Sequence, residues 1–205
     1  MEQLSKKFSY NVIQVGDKPN FVGITSGKDK KTMTRLIKEI LKYLGYSAKA
    51  IDTIKNIQVK EYSNTSLEYH AVNLYDFDIR IFTDLDQYLS DGKSEKNSIL
   101  KLFKICGLGL FNVDDPLLSK IIKSKSSDTI TYGINNPADF TAKDIRYSQY
   151  GLNFILDFKG IEKNVRINTF NESIVYDALA AISTCYFLGL PLNLIIDALN
   201  HTEIF

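Results

Sequence analysis

Between residues 21 and 44 the chain passes from a short apolar run, Phe21-Val22-Gly23-Ile24-Thr25, through a loop containing Gly27 and several lysines, into a helical pattern. Met33, Leu36, Ile37, Ile40, Leu41 and Leu44 recur there at three and four residues, and Gly45 supplies a stop. A strand that feeds a helix through so few residues is half of a strand–helix–strand crossover. It commits the chain to an α/β sheet whose strands run parallel. The N-terminal half continues the alternation: 57–62 and 78–83 read as strands, 94–105 as a helix and 108–113 as a buried strand. Pro116 stands where a helix begins, because its missing N–H costs nothing in a first turn. Mostly parallel strands with helices on both faces are therefore expected.

Near residue 128 the texture changes. Segments 129–132, 139–147, 152–158 and 165–170 read as strands punctuated by Gly133, Gly151 and Gly160, which predicts a smaller antiparallel β region over 128–170. Two helices close the chain, 174–188 ended by Gly189 and 192–199 preceded by Pro191. With no linker-like stretch and no internal repeat, 1–205 is expected to be one domain with a lead-in over 1–20.

Composition narrows the function. Hydrophobic residues at 44% and charged residues at 24% exclude disorder as a global state. Twenty-five Lys and Arg against 24 Asp and Glu leave a net charge of +1, so no whole-molecule field holds nucleic acid or an anionic membrane, and neither is expected as a partner. Two cysteines, Cys106 and Cys185, with two distant histidines, His70 and His201, make neither a disulfide framework nor a four-ligand zinc site. Reduced buried thiols are expected, a single bridge being the alternative. The N-terminus has no apolar run of signal length and no stretch is apolar enough to span a membrane, so a cytoplasmic location is expected.

In sheets of this class ligands bind at the carboxyl ends of strands. The first such loop, 23–32, occupies the place of a phosphate-binding loop, where backbone N–H groups and a helix N-terminus face a triphosphate. Its candidate ligands are Thr25, Ser26, Gly27, Lys28, Lys31 and Thr32: lysines for phosphate oxygens, a hydroxyl for Mg²⁺. The pattern G-x-x-x-x-G-K-[ST] is not met, because Lys28 stands where its second glycine belongs and Asp29 follows Gly27-Lys28. A solvated basic turn is the alternative reading of this loop.

Read with the rest of the chain, the loop resembles that of the Mur ligase family, in its central ATP-binding domain. The family's loop reads GITGTNGKTTT, and this chain has GITSGKDKKTMT. Further matches follow in order: Glu61-Tyr62-Ser63, Thr83-Asp84 with a downstream Asp86-Gln87, Gly92 to Lys101, Asn112-Val113-Asp114-Asp115-Pro116, Thr131-Tyr132-Gly133, and Phe170-Asn171 leading to Ala178-Leu179-Ala180-Ala181. The resemblance implies a P-loop-type sheet and an ATP- and Mg²⁺-dependent ligase related to UDP-N-acetylmuramyl peptide synthesis. A substrate carboxylate there takes the γ-phosphate of ATP, and an amine then displaces phosphate to form an amide.

By the same resemblance Glu61 takes the place of an Mg²⁺-binding glutamate, and Thr32, or else Ser26, that of a hydroxyl ligand. Lys101 matches a lysine that many members carbamylate when the register is counted from Gly92; counting back from Leu102-Phe103 puts Ile99 there instead. Gln87 replaces a histidine that assists a second metal, Asp177 replaces an asparagine near the adenine, and His201 stands where an arginine begins the domain junction. Asn112, Asp114 and Asp115 match the family, but their place between a buried strand and a proline-started helix suits turn and capping roles. A full family member also carries an N-terminal UDP-sugar domain and a C-terminal domain. Neither is expected within 205 residues, so a partner chain or a homo-oligomer is expected over the surfaces they would cover. The sequence thus supports a ligase module with impaired or lost catalysis, a non-catalytic module that binds a partner or a nucleotide, or a plain phosphate-binding ATPase.

Overall fold

The computed structural model describes residues 20–25, 31–46, 57–62, 77–84, 106–122 and 129–203. In chain order the elements are β1 (Asn20–Thr25), α1 (Lys31–Tyr43), β2 (Ile57–Tyr62), β3 (Phe77–Phe82), β4 (Cys106–Asn112), α2 (Pro116–Ile122) and β5 (Thr129–Gly133). The antiparallel strands β6 (Phe140–Ser148), β7 (Gly151–Phe158) and β8 (Ile161–Ile167) follow, then α3 (Ile174–Phe187) and α4 (Leu192–His201). All eight strands join one sheet in the order β2-β1-β3-β4-β5-β6-β7-β8. Pairing is parallel from β2 to β6 and antiparallel from β6 to β8.

The βα unit forms as its pattern requires. Met33, Leu36, Ile37, Ile40 and Leu41 are buried on one side of α1 while Lys31, Arg35, Lys38 and Lys42 lie on the other. Gly45, at φ 76, ends the helix: its N–H donates to Lys42 O at 3.0 Å, and Tyr46 N–H to Leu41 O at 2.7 Å. The same double closure ends α3 at Gly189. Helix α3 is buried along nearly its whole surface, since α1 and α4 flank it and strands β3 to β6 lie beneath it. Ser183 and Thr184 satisfy their hydroxyls inside the helix, donating to Leu179 O and Ala180 O at 2.8 and 2.7 Å.

Strand alternation sends Ile79, Ile81, Leu110 and Ile130 into the core shared with these helices. Phe82 and Phe111 face the other way and stack with centroids 4.7 Å apart. Gly109 makes room for that stack, because a Cβ there would meet the Phe111 ring at 2.5 Å. Among the described residues, the helices α1, α3 and α4 form a layer on one face. The helix expected over 94–105 lies outside the described residues.

Two expectations are corrected. The segment 129–133 is not part of an antiparallel region: β5 pairs parallel with both β4 and β6. The last strand lies at Ile161–Ile167 rather than 165–170, because Lys159 at φ 51 and Gly160 at φ 84 complete a tight turn closed by Gly160 N–H donating to Asp157 Oδ1 at 2.8 Å. Pairing with β7 begins at once, at Phe158↔Ile161. Strand β6 meets β5 only at Tyr132↔Phe140 and Gly133↔Thr141, so residues 142–148 run on past the end of β5 for about 20 Å. A bulge between Lys143 and Arg146, with Asp144 at φ 50, bends this extension. The outer edge of β8 is covered in part by α4: Arg166 N–H donates to Asn200 Oδ1 at 2.8 Å, and Asn168 bridges Glu203.

An aromatic cluster joins the meander to the helix layer. Phe140 stacks on Phe158 at 4.2 Å and meets Tyr186 and Phe187 edge-on at 6.0 and 6.2 Å. Phe140→Ala should therefore cost about 3–5 kcal/mol. Urea unfolding checks this as a lowered midpoint with an unchanged slope.

Candidate functional site

Because β1, β2, β3, β4 and β5 run parallel, their carboxyl ends share one edge. Strand β1 lies between β2 and β3, so the chain leaves it to one side and returns on the other. In sheets of this kind such a reversal marks the place, beyond the ends of β1 and β3, where ligands settle. Thr25 closes β1 with Tyr62 and Phe82 as its strand partners, and Glu61 lies one step back on β2, opposite Ile24. Lys31 is the exposed first residue of α1, followed by the half-buried Thr32. Among the described residues, the first turn of α1 holds no acidic residue. Ser26, Gly27, Lys28 and Lys101 lie outside the described residues.

Farther along the edge stands a polar node. Asn112 Oδ1 accepts from Asp114 N–H at 3.0 Å and shapes the turn after β4. Asp115, 5% exposed, accepts from Leu117 and Leu118 N–H at 3.0 and 2.7 Å and caps α2. Asp114 reaches across to the β5–β6 loop. Its Oδ2 accepts from Ile134 and Asn135 N–H at 2.6 and 2.9 Å and from the Tyr176 hydroxyl at 2.9 Å. Its Oδ1 accepts from Asn136 N–H at 2.9 Å and Asn136 Nδ2 at 2.8 Å. Partial burial pushes the Asp114 carboxyl up, but these donors outweigh it and hold the group below the usual carboxylate range. Burial, then the hydrogen bond to Asp114, raise the Tyr176 hydroxyl.

Asp177, in the first turn of α3, is brought to the same edge. Tyr132 is fully buried and donates its hydroxyl to Phe82 O at 3.3 Å. Burial first, and then the nearby carboxylates of Asp177, Asp84 and Asp115, push that hydroxyl well above its ordinary value. The structure therefore gathers Thr25, Glu61, Lys31, Thr32 and Asp177 along one edge of the sheet. Tyr132, of the matched Thr131-Tyr132-Gly133, joins them, as do Asn135 and Tyr176, to which the sequence assigned no role.

His201 belongs elsewhere. It stacks on Tyr43 with centroids 5.7 Å apart, and its Nδ1 lies 2.8 Å from Asp197 O. Tyr43 ends the helix that begins at the strand edge, about 20 Å away along its axis. The pair borders a cleft of about 500 Å³ whose lining includes Arg35, Lys42 and Glu203. Cys185 is a buried free thiol whose pKa burial pushes up. Among the described residues no cluster of His, Cys, Asp and Glu forms a metal cage, and no helix is long and apolar enough to cross a membrane.

The donor chemistry at the edge suits a nucleotide with Mg²⁺. A carboxylate residue and a hydroxyl residue are hard oxygen ligands, and a lysine at a helix start favours phosphate. Comparison with known proteins shows what the chain is similar to. Residues 46–185 match the Mur ligase middle domain. The chain is 29% identical over 223 residues to UDP-N-acetylmuramoyl-L-alanyl-D-glutamate--2,6-diaminopimelate ligase 2 of Clostridium acetobutylicum, covering 90% of this chain and 46% of that one. It is 30% identical over 215 residues to a ligase of that kind from Clostridium tetani, covering 87% and 44%. Among solved structures, a UDP-N-acetylmuramoyl-L-alanyl-D-glutamate--2,6-diaminopimelate ligase superposes with a TM-score of 0.76 at 19% identity, over 98% of this chain and 49% of that one. A pseudomurein peptide ligase type C from Methanothermus fervidus superposes at 0.72 and 18%, over 98% and 52%. The chain thus spans about half the length of the relatives it matches.

With its carboxyl held low, Asp114 adds stability that is complete above the ordinary carboxylate range and is lost as pH falls through the lowered folded value. Asp114→Asn should cost about 2 kcal/mol near neutral pH. In thermal unfolding from about pH 7 to about pH 2, the gap between variant and wild type should close with acid.

Proposed function

The chain belongs to the Mur ligase family, and from that premise we propose that it is an ATP-dependent acid–amino-acid ligase module with impaired or lost amide-forming power. The proposed site takes Mg-ATP beyond the ends of β1 and β3. The observation that carries the reading is the position of β1 between β2 and β3, with α1 starting directly beyond it. In this reading Lys31, with Lys28 and the amides of Ser26 and Gly27, neutralises the triphosphate, Thr25 lines its approach, and Thr32 and Glu61 supply oxygen ligands to Mg²⁺. Bound Mg-ATP supplies the phosphoryl group that activates a carboxylate. Asp177 faces the base end, and Lys101 takes the family lysine's role.

Impairment is supported by the substitutions. The loop departs from the phosphate-binding pattern at Lys28 and Asp29, Gln87 replaces an imidazole, and Asp177 lacks the amide donor of asparagine. The same substitutions favour a second reading, a non-catalytic module that binds a partner or a nucleotide in the cytoplasm. Under either reading a partner chain or a second copy works with it.

Calorimetry and thermal unfolding with Mg-ATP test the site. Ligand at about a thousand times Kd should stabilise the fold by about 4 kcal/mol, and no shift at millimolar Mg-ATP removes nucleotide binding. Phosphate release should fall in Glu61→Ala relative to wild type, and binding without any release selects the non-catalytic reading.

A further inference from the structure

Asp114 does more than a turn requires. Asn112 already shapes the turn and Asp115 already caps α2, yet Asp114 spends both oxygens on groups from other elements. The close approach is built in, because a Cβ at Gly133 would meet Val113 Cγ2 at 2.8 Å and both Asp114 oxygens at 3.2 Å. Tyr176 donates to Asp114 and accepts from Asn135 Nδ2 at 3.2 Å, and Asn135 N–H donates to Asp114, which closes a ring of three residues from the β4–α2 turn, the β5–β6 loop and α3. Tyr176 immediately precedes Asp177, so this ring sets where the first turn of α3 stands against the strand ends. The ring lies two to three strands from β1, about 10–15 Å along the edge.

We infer that Asp114, acting through Tyr176 and Asn135, is a positioning residue that fixes the first turn of α3 and the β5–β6 loop for the nucleobase end of the bound nucleotide. This rests on the nucleotide reading above. The ring touches no phosphate in this arrangement; it holds the surface on which the base discriminates a nucleotide from a bare polyphosphate.

Affinities for Mg-ATP and for Mg-tripolyphosphate, measured by calorimetry, test it. Wild type should bind ATP more tightly than tripolyphosphate. Tyr176→Phe, which removes one oxygen, and Asp114→Asn should each weaken ATP about tenfold and leave tripolyphosphate unchanged. Loss of both affinities together would make the ring merely structural and overturn the inference. So would an unchanged ATP affinity in Tyr176→Phe, or equal wild-type affinity for the two ligands. A wild type that binds neither overturns the nucleotide reading itself, and this inference with it. If Asp114→Asn does not fold, Tyr176→Phe alone decides.

Discussion

Burial of α3 on nearly all sides is the constraint from which the architecture follows. A helix can lie against the sheet, α1 and α4 together only if its surface is small and apolar. Ala178, Ala180 and Ala181 supply that surface, with Leu179, Ile182 and Phe187 filling the wider gaps. The polar groups it carries inside, Ser183 and Thr184, are satisfied by its own carbonyls and ask nothing of the layers around it. Since the core side of the sheet is sealed in this way, polar side chains collect where strands and helices end.

The strand edge is therefore where chemistry concentrates, and the division of labour there is visible residue by residue. Asn112 and Asp115 bond within a few positions of themselves and serve local geometry. Asp114 bonds to residues 20, 21, 22 and 62 positions downstream and serves the assembly of three elements. Such a carboxylate, fully ringed by donors, is stable as an anion in a partly buried place. Burial first, and then three neighbouring carboxylates, keep the Tyr132 phenol neutral.

Much of this was legible in the sequence. The amphipathic period of α1, the proline at the start of α2 and the glycine stops after α1 and α3 are local signals, and each element lies where its signal falls. The strand β8 was misjudged because Val165, Ile167 and Phe170 look more strand-like than Ile161-Glu162-Lys163-Asn164. It is pairing with β7 that makes those four residues a strand, and Phe170 stays 62% exposed. The direction of β5 was illegible for a similar reason: five residues carry no record of which neighbours they will pair with. Along the site, the residues of the loop and of β2 could be singled out through an ordered motif. Tyr176 and Asn135 could not, because they meet only after the fold has brought them together.

The extension of β6 past β5 carries a consequence for the strand edge. Residues 142–148 and the strand that returns beside them stand as a parapet at one end of the row of strand termini. Among the described residues, the row of strand termini is bordered on the β6 flank and on no other by such a wall, an asymmetry that comes from one strand being longer than its neighbour.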